Sequence, residues 1–267
     1  MYEIERREEV TSTNDICLAW AKEGKSGHRV CSAGKQTKGR GRNGRSWVSE
    51  EKVGLYLSVL ERPECETATA PLFSLAMGLA AVKAVEEVSG LKAKLKWPND
   101  LVVNGKKLSG ILAQMGLSGN RVDYVVMGIG VNLFQKMFPD EIAETATSIL
   151  LEKGFSQAGQ AEKGCMQNSQ ATQELFREKL ENAIVKWWKT YYNQVLTDQS
   201  FSGLKEEYER CLANIGREVT VLDPAGEYRG ICKGISDEGG LLVQTADHTL
   251  HEVRSGEVSV RGIYGYV

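Results

Sequence analysis

Histidine is scarce in this chain: three residues in 267, at positions 28, 248 and 251. The six cysteines (17, 31, 65, 165, 211 and 232) are scattered, with no C-x-x-C pair and no clustered histidine beside them. Neither a disulfide scaffold nor a structural zinc site is therefore expected, and reduced thiols in a cytosol fit better. Charge of one sign is also missing. Thirty-three Lys and Arg against 35 Asp and Glu leave a net charge of −2, so no global field argues for nucleic acid or a membrane surface. The start, M-Y-E-I-E-R-R-E-E-V, is charged throughout and does not read as a signal peptide. The longest apolar stretch, Pro71 to Val82, ends at Lys83, too short to span a bilayer. A soluble, cytoplasmic protein is expected. Hydrophobic residues at 42% are enough for a sizeable core, in one large domain or one domain with a small appendage.

Strand-like and helix-like runs alternate from Tyr2 to about Leu133. Ser12 or Thr13 can cap a helix carrying Ile16, Leu18, Ala19 and Trp20, which Gly24 ends. Strands are predicted over 29–34, 54–60 and 93–97, with a long helix presenting Leu72, Leu75, Leu79 and Val82 on one face. Asn104-Gly105 suits a two-residue hairpin turn, and a second hairpin joins 108–115 to 122–133. Hairpins mixed with helices argue α+β with a largely antiparallel sheet. Residues 154–172 are polar, poor in large apolar side chains, and read as a mobile insertion. Helices follow over 175–195 and up to about Leu212. Beyond Gly216 come period-two strands with tight glycine turns, the pattern of a small barrel. The boundary is placed at 215, giving domains 1–215 and 216–267.

Three segments carry chemistry. Residues 35–47, K-Q-T-K-G-R-G-R-N-G-R-S-W, hold five basic residues, three glycines and no acid. Gly39, Gly41 and Gly44 satisfy G-x-G-x-x-G, and Gly39–Ser46 nearly satisfies the P-loop pattern. Both motifs need the loop to open a helix, whereas Trp47 leads toward a strand. What remains is a cationic flap able to close on an anion, or a solvated basic loop. In K-W-P-N-D (96–100) with Lys107, two cations share one sheet face, or that face is simply wet. Asn132, inside the apolar strand G-I-G-V-N-L, is costly to bury unpaired and is either a structural amide or a ligand-binding one.

Together and in this order the segments closely resemble the biotin–protein ligases. The matching text is S-T-N (12–14), G-R-G-R-N-G-R-S-W (39–47), K-W-P-N-D-L (96–101), K-L-S-G-I-L (107–112), G-I-G-V-N (128–132) and S-G-E-V-S-V-R (255–261). The resemblance implies an α+β catalytic domain with a mixed, largely antiparallel sheet and flanking helices, related to class II aminoacyl-tRNA synthetases. It also implies a small C-terminal SH3-like β-barrel. The chain begins at the catalytic domain, so the form without an N-terminal winged helix-turn-helix, and no DNA partner, is expected. Oligomeric state varies in the family, and a homodimer stays open.

The resemblance implies coupling of biotin to ATP as biotinyl-5′-AMP, with Mg²⁺, and transfer to one lysine of a biotin carboxyl carrier protein. Ser12, Thr13, Asn14 and Gln36 match residues lining the ureido pocket; a buried urea needs fixed neutral donors and acceptors. Arg40, Gly41 and Arg42 match the binding loop, with Trp47 and Gly110 beside biotin. Lys107 matches the lysine contacting the biotin carboxylate and α-phosphate, and with Arg40 offsets the repulsion between two anions. Lys96, Trp97, Asn99, Asn132 and Arg261 fall on the nucleotide side, as Arg40 and Arg42 do. Asn99 and Asp100 are the candidate Mg²⁺ ligands. The alternatives are a lipoate–protein ligase, disfavoured by the flap and the barrel ending, and a nucleic-acid-binding module, disfavoured by the acidic residues over 206–209 and 237–238.

Overall fold

A computed structural model describes residues 2–153, 169–223, 226–254 and 257–260. Seven strands form one mixed sheet: β1 (Glu3–Val10), β2 (Arg29–Gln36), β3 (Gly54–Glu61), β4 (Lys94–Lys96), β5 (Asp100–Val103), β6 (Lys106–Ser118) and β7 (Arg121–Asn132). Their order is β1-β2-β3-β7-β6-β5-β4. Only β1 and β2 run parallel, and the other neighbouring pairs are antiparallel, as the α+β reading expects. A parallel pair needs a crossover, and helix α1 (Thr13–Lys22) supplies it. Asn104 and Gly105 turn the β5–β6 hairpin at φ 49° and 77°, the left-handed region a two-residue turn demands.

β3 is buried along its whole length, so its period of two sorts two covered faces, not a wet and a dry one. Leu55, Leu57 and Val59, with Val125, Met127 and Ile129 of β7, pack on the face covered by helices α2 (Ala70–Ser89) and α4 (Gln170–Asp198). Leu60 and Val126 face the other way, beneath Cys17, Trp20 and Ala21 of α1. The spacing of Leu72, Leu75, Leu79 and Val82 predicts a one-faced helix, yet α2 is buried nearly all round because sheet and α4 enclose it. By length and composition residues 67–89 exceed the apolar run read from sequence and pass the test for a membrane-crossing helix. However, 78% of the most apolar window is buried inside the protein, the mark of a core helix.

A short helix α3 (Ile149–Glu152) and helix α5 (Ser202–Cys211) complete the α-helices among the described residues, beside two 3-10 turns at Arg42–Gly44 and Thr67–Thr69. Of the insertion expected over 154–172, residues 154–168 lie outside the described residues. Its end is ordered: Ser169 caps α4, accepting a hydrogen bond from the Thr172 amide. Strands β8 (Glu218–Asp223), β9 (Gly226–Ile235), β10 (Leu241–Gln244), β11 (Leu250–Val253) and β12 (Glu257–Val260) form a second, antiparallel sheet in the order β11-β10-β9-β8-β12. Among the described residues no pairing joins β11 to β12. The second sheet docks through Trp97, 2% exposed, whose indole N–H donates to the Gly239 carbonyl at 3.0 Å. The Trp97 amide donates to Asn214 Oδ1 at 2.9 Å.

Candidate functional site

Three glycines open a space on the α1 face of the sheet. The register sets Gly110 opposite Gly130 and Leu112 opposite Gly128, with all three glycines facing α1. A Cβ on Gly130 would come within 2.5 Å of Trp47 Nε1, and one on Gly110 within 3.1 Å of Trp47 Cζ3. A Cβ on Gly128 would collide with Asn14 Oδ1. Here glycine is required by close approach, because the flap tryptophan and the start of α1 occupy the volume side chains would take.

A pocket stands on this floor, neutral where the hydroxyls and amides of Ser12, Thr13, Asn14 and Gln36 line it, and bordered also by Arg40, Gly41, Arg42, Trp47, Lys107 and Gly110, among others. Ser12 sits at the N-cap of α1 but makes no side-chain cap bond. Ser12, Thr13 and Asn14 are buried. Gln36 Oε1 accepts from the Thr13 amide at 2.9 Å, and Gln36 Nε2 donates to Ser49 Oγ at 2.9 Å. Ser49 in turn donates to the Trp47 carbonyl at 3.2 Å. Ser58 Oγ, fully buried on β3, lies 2.7 Å from Thr13 Oγ1 and 2.6 Å from Asn14 Oδ1. Asn14 Nδ2 donates to Gln114 Oε1 at 2.8 Å. Hydroxyls and amides thus form one continuous network, as buried polar groups require.

The neighbouring cavity is cationic on one side and apolar on the other. Arg42, Lys96, Trp97, Asn99, Asp100, Lys107 and Asn132 line it, opposite Met137, Phe138, Pro139 and Ile142 from the segment after β7. Gly41, Arg42, Trp47, Asn99 and Lys107 line both cavities, so the two spaces share a wall. Lys107 is held by its backbone: its amide donates to the Thr145 carbonyl at 2.7 Å, and its carbonyl accepts from the Thr147 amide at 2.9 Å. Lys107 Nζ lies 5.6 Å from the centre of the Trp47 ring, within cation–π range. It also lies 2.7 Å from Asp100 Oδ1, an ion pair by distance without the alignment of a hydrogen bond. The Trp47 indole N–H is buried with no hydrogen-bond partner.

Several expectations need correcting. The flap segment holds no acid, yet its arginines are paired with residues elsewhere in the chain. Arg40 Nη2 reaches the Asp15 carboxylate at 3.1 Å, and Arg42 Nη1 donates to Asn99 Oδ1 at 2.9 Å. The flap is tied at its base: the Trp47 amide donates to the Gly39 carbonyl at 3.0 Å, and the Gly41 amide to the Arg45 carbonyl at 2.7 Å. The candidate Mg²⁺ residues Asn99 and Asp100 border the cationic cavity, each with a resident cation beside it. The Asn99 carbonyl is taken by Arg42 and Asp100 faces Lys107, while no group of three or more His, Cys, Asp or Glu stands together among the described residues. Asn132 is a satisfied structural amide, donating to the Thr147 carbonyl at 3.0 Å and accepting from Gln135 Nε2 at 3.3 Å, although it still borders the cationic cavity. Arg261 lies outside the described residues.

Ser58, Ser49 and Gln114 went unnoticed in the sequence. One signal was available for Ser58, a lone hydroxyl in the apolar strand G-L-Y-L-S-V-L, since a buried polar group there needs partners. Neither Cys17 nor Cys31, packed together beside α1, is poised as a thiolate. Cys17 donates to the Ser58 carbonyl at 3.4 Å, and burial raises its thiol pKa; burial likewise pushes the Cys31 thiol up to about 12.

Family models set the chain that carries this sheet and these paired cavities in a broad class of ligases. The model of the biotin/lipoate A/B protein ligase family matches residues 7–132, and that of the biotin protein ligase C-terminal domain matches residues 215–261. The biotin–[acetyl-CoA-carboxylase] ligase of Mycobacterium tuberculosis is 32% identical over 253 residues, covering 92% of this chain and 85% of that one. The bifunctional ligase/repressor BirA of Bacillus subtilis is 34% identical over 215 residues, covering 80% of this chain. The alignment spans 60% of that BirA's length. The structure of biotin protein ligase from Aquifex aeolicus in complex with biotin and ATP superposes with a TM-score of 0.77 at 30% identity, covering 98% of this chain and 99% of that one. The chain belongs to the biotin–protein ligase family.

Proposed function

We propose that this chain is an ATP-dependent biotin–protein ligase that forms biotinyl-5′-AMP and passes biotin to a lysine of a biotin carboxyl carrier protein of acetyl-CoA carboxylase or another biotin-dependent carboxylase. The observation that carries the reading is the wall shared by two unlike cavities, with Lys107 in it. A neutral, hydrogen-bonding pocket suits an uncharged urea, and a cationic cavity with an apolar side suits a triphosphate and a base. A carboxylate from the first then meets the α-phosphorus in the second.

In the first step a biotin carboxylate oxygen attacks the α-phosphorus and pyrophosphate leaves with the bonding pair. Lys107 and Arg42 face this meeting of anions, and each must give up its present partner to offset the charge. Arg40 is the further flap cation at the neutral pocket. Trp47 walls the junction, and its unpartnered indole N–H is a donor for a ligand acceptor. Ser12, Thr13, Asn14, Gln36 and Gly110 hold biotin, while Lys96, Trp97, Asn99 and Asn132 border the nucleotide. In the second step the carrier lysine amine attacks the acyl carbon, AMP departs, and the amine loses a proton.

We take Mg²⁺ to enter as the counterion of the nucleotide, as part of the substrate, with no protein cage. Residues 1–215 form the ligase unit and 216–267 the C-terminal unit in this reading, supported by the second family match beginning at 215. The five described cysteines are free thiols, which supports a reducing, cytoplasmic setting. Incubation with ATP, Mg²⁺, biotin and a carrier domain, omitting each in turn, tests the proposal. Amide-linked biotin on one carrier lysine is expected, with AMP and pyrophosphate released. Attachment of lipoate but not biotin rejects it.

A further inference from the structure

Ser58 borders neither cavity, yet it touches two side chains that do. It is fully buried on β3, in a strand otherwise walled by apolar residues. Its hydroxyl has two close neighbours and one proton, so proton counting fixes the direction of every bond around it.

The Leu112 carbonyl can only accept, and it lies 3.5 Å from Asn14 Nδ2. That contact, with Gln114 Oε1 at 2.8 Å from the same nitrogen, turns the amide so that Oδ1 faces Ser58. Asn14 Oδ1 has no proton to give. The 2.6 Å contact therefore consumes the Ser58 proton. The 2.7 Å contact between Ser58 and Thr13 must then run on the proton of Thr13. Gln36 Oε1 is left with the Thr13 amide at 2.9 Å, and its approach to Thr13 Oγ1, at 3.2 Å, is longer than the 2.7 Å contact of that hydroxyl with Ser58. With its proton turned inward to β3, Thr13 Oγ1 offers the pocket lone pairs alone.

We propose that Ser58 is a positioning residue that sets the polarity of the neutral pocket, making Thr13 an obligate acceptor that selects a ligand N–H and rejects an oxygen at the same place. The selected chemistry is a cyclic urea with two N–H groups, so this inference rests on the biotin reading and deepens it. An isosteric carbamate, with one N–H replaced by oxygen, would set lone pair against lone pair. Sites built to bond a ligand N–H discriminate strongly against analogues lacking it, because the buried partner is left unpaired.

The experiment measures adenylation by pyrophosphate release, with biotin and with the two carbamate analogues in which one or the other ureido N–H is replaced by oxygen. Wild-type enzyme must first activate biotin; failure there rejects the biotin reading and is distinct from failure of this inference. In Ser58→Ala the Thr13 hydroxyl is free to rotate and donate. The KM for biotin is expected to rise about 2- to 12-fold, as for one neutral hydrogen bond, with kcat within about 2-fold. Preference for biotin over one of the two carbamates should fall by at least a similar factor, because the rotated hydroxyl accommodates oxygen. Ser58→Thr, which restores the hydroxyl, should recover the preference. Ser58→Cys, of similar size with a weak donor, should fall between and serves if the alanine variant does not fold. A KM that rises equally for biotin and both carbamates would overturn the assignment, because a merely structural role loosens the pocket without changing its polarity.

Discussion

The two cavities that meet at Lys107 follow opposite rules. In the neutral pocket Thr13, Asn14, Gln36 and Ser58 bond to one another, and the network is complete within the protein. In the cationic cavity Lys107 faces Asp100 and Arg42 faces the Asn99 carbonyl. The first region can be rigid before a ligand arrives. The second keeps its cations on resident partners and must exchange them for phosphate. Substitutions should therefore act on affinity in one region and on rate in the other.

The largest effect is expected at the junction. Lys107→Ala removes a charge-assisted bond worth about 1.5–3 kcal/mol, so adenylation should fall roughly 10- to 150-fold. Stability should change little, since its ammonium contributes no apolar core. An unchanged rate of pyrophosphate release removes Lys107 from the mechanism. Asp100→Asn sharpens the contrast, because it leaves the cation and removes only its resident partner. A smaller loss is expected, on the order of a few-fold, with an unchanged Mg²⁺ requirement. A raised Mg²⁺ requirement would instead return Asp100 to the metal.

Next comes retention of the intermediate. An acyl-adenylate outside the site reacts with any free amine, and the flap is the segment suited to cover it. Arg42→Gly keeps the neutral network and Lys107 but loses the contact to Asn99 that draws the flap toward the nucleotide side. Mass spectrometry should find biotin on lysines of bystander proteins, with lower efficiency on the carrier. Loss of adenylation without stray labelling would make Arg42 essential to chemistry and end the cover model. A gentler probe is protease cleavage within 40–46, expected to be slower with biotin and ATP than without. Equal rates would show that the resting hairpin is already closed.

The fold was legible where side-chain pattern and structure agree, as in the Asn104-Gly105 hairpin and the period-two strands after Gly216. β1 was not, because E-I-E-R-R-E-E-V carries few apolar residues. It is held by its pairing with β2 and by ion pairs such as Arg6 to Glu181, 175 residues away. The site was legible in its ligand-facing residues, which cluster in short motifs. The groups holding them were not. Asp15 and Asn99 hold flap arginines from distant segments, and Ser58 and Gln114 are single polar residues whose partners only the sheet register brings together. A motif displays the atoms that touch ligand, while their support is distributed by the fold.

The smallest expected effect lies outside both cavities, where a buried ionisable group stands in a packed interior. Glu61 ends β3, three residues beyond Ser58, and is fully buried. It accepts from Tyr2 Oη at 2.5 Å, Trp188 Nε1 at 3.1 Å and the His28 amide at 3.1 Å, and lies 2.8 Å from His28 Nδ1. Burial raises its pKa, and these donors offset that only in part. An unfolded glutamate titrates near 4.3, so the native state binds the proton more tightly. This contribution is fully present below that value and is lost as pH rises through the raised folded pKa. Thermal midpoints measured from about pH 4.5 to about pH 8 for wild type and Glu61→Gln isolate it, because glutamine does not titrate. The advantage of wild type over the variant should be greatest at the acid end and shrink as pH rises. A constant difference across the range would mean that Glu61 carries the same charge folded and unfolded, and that its four donors cancel the cost of burial.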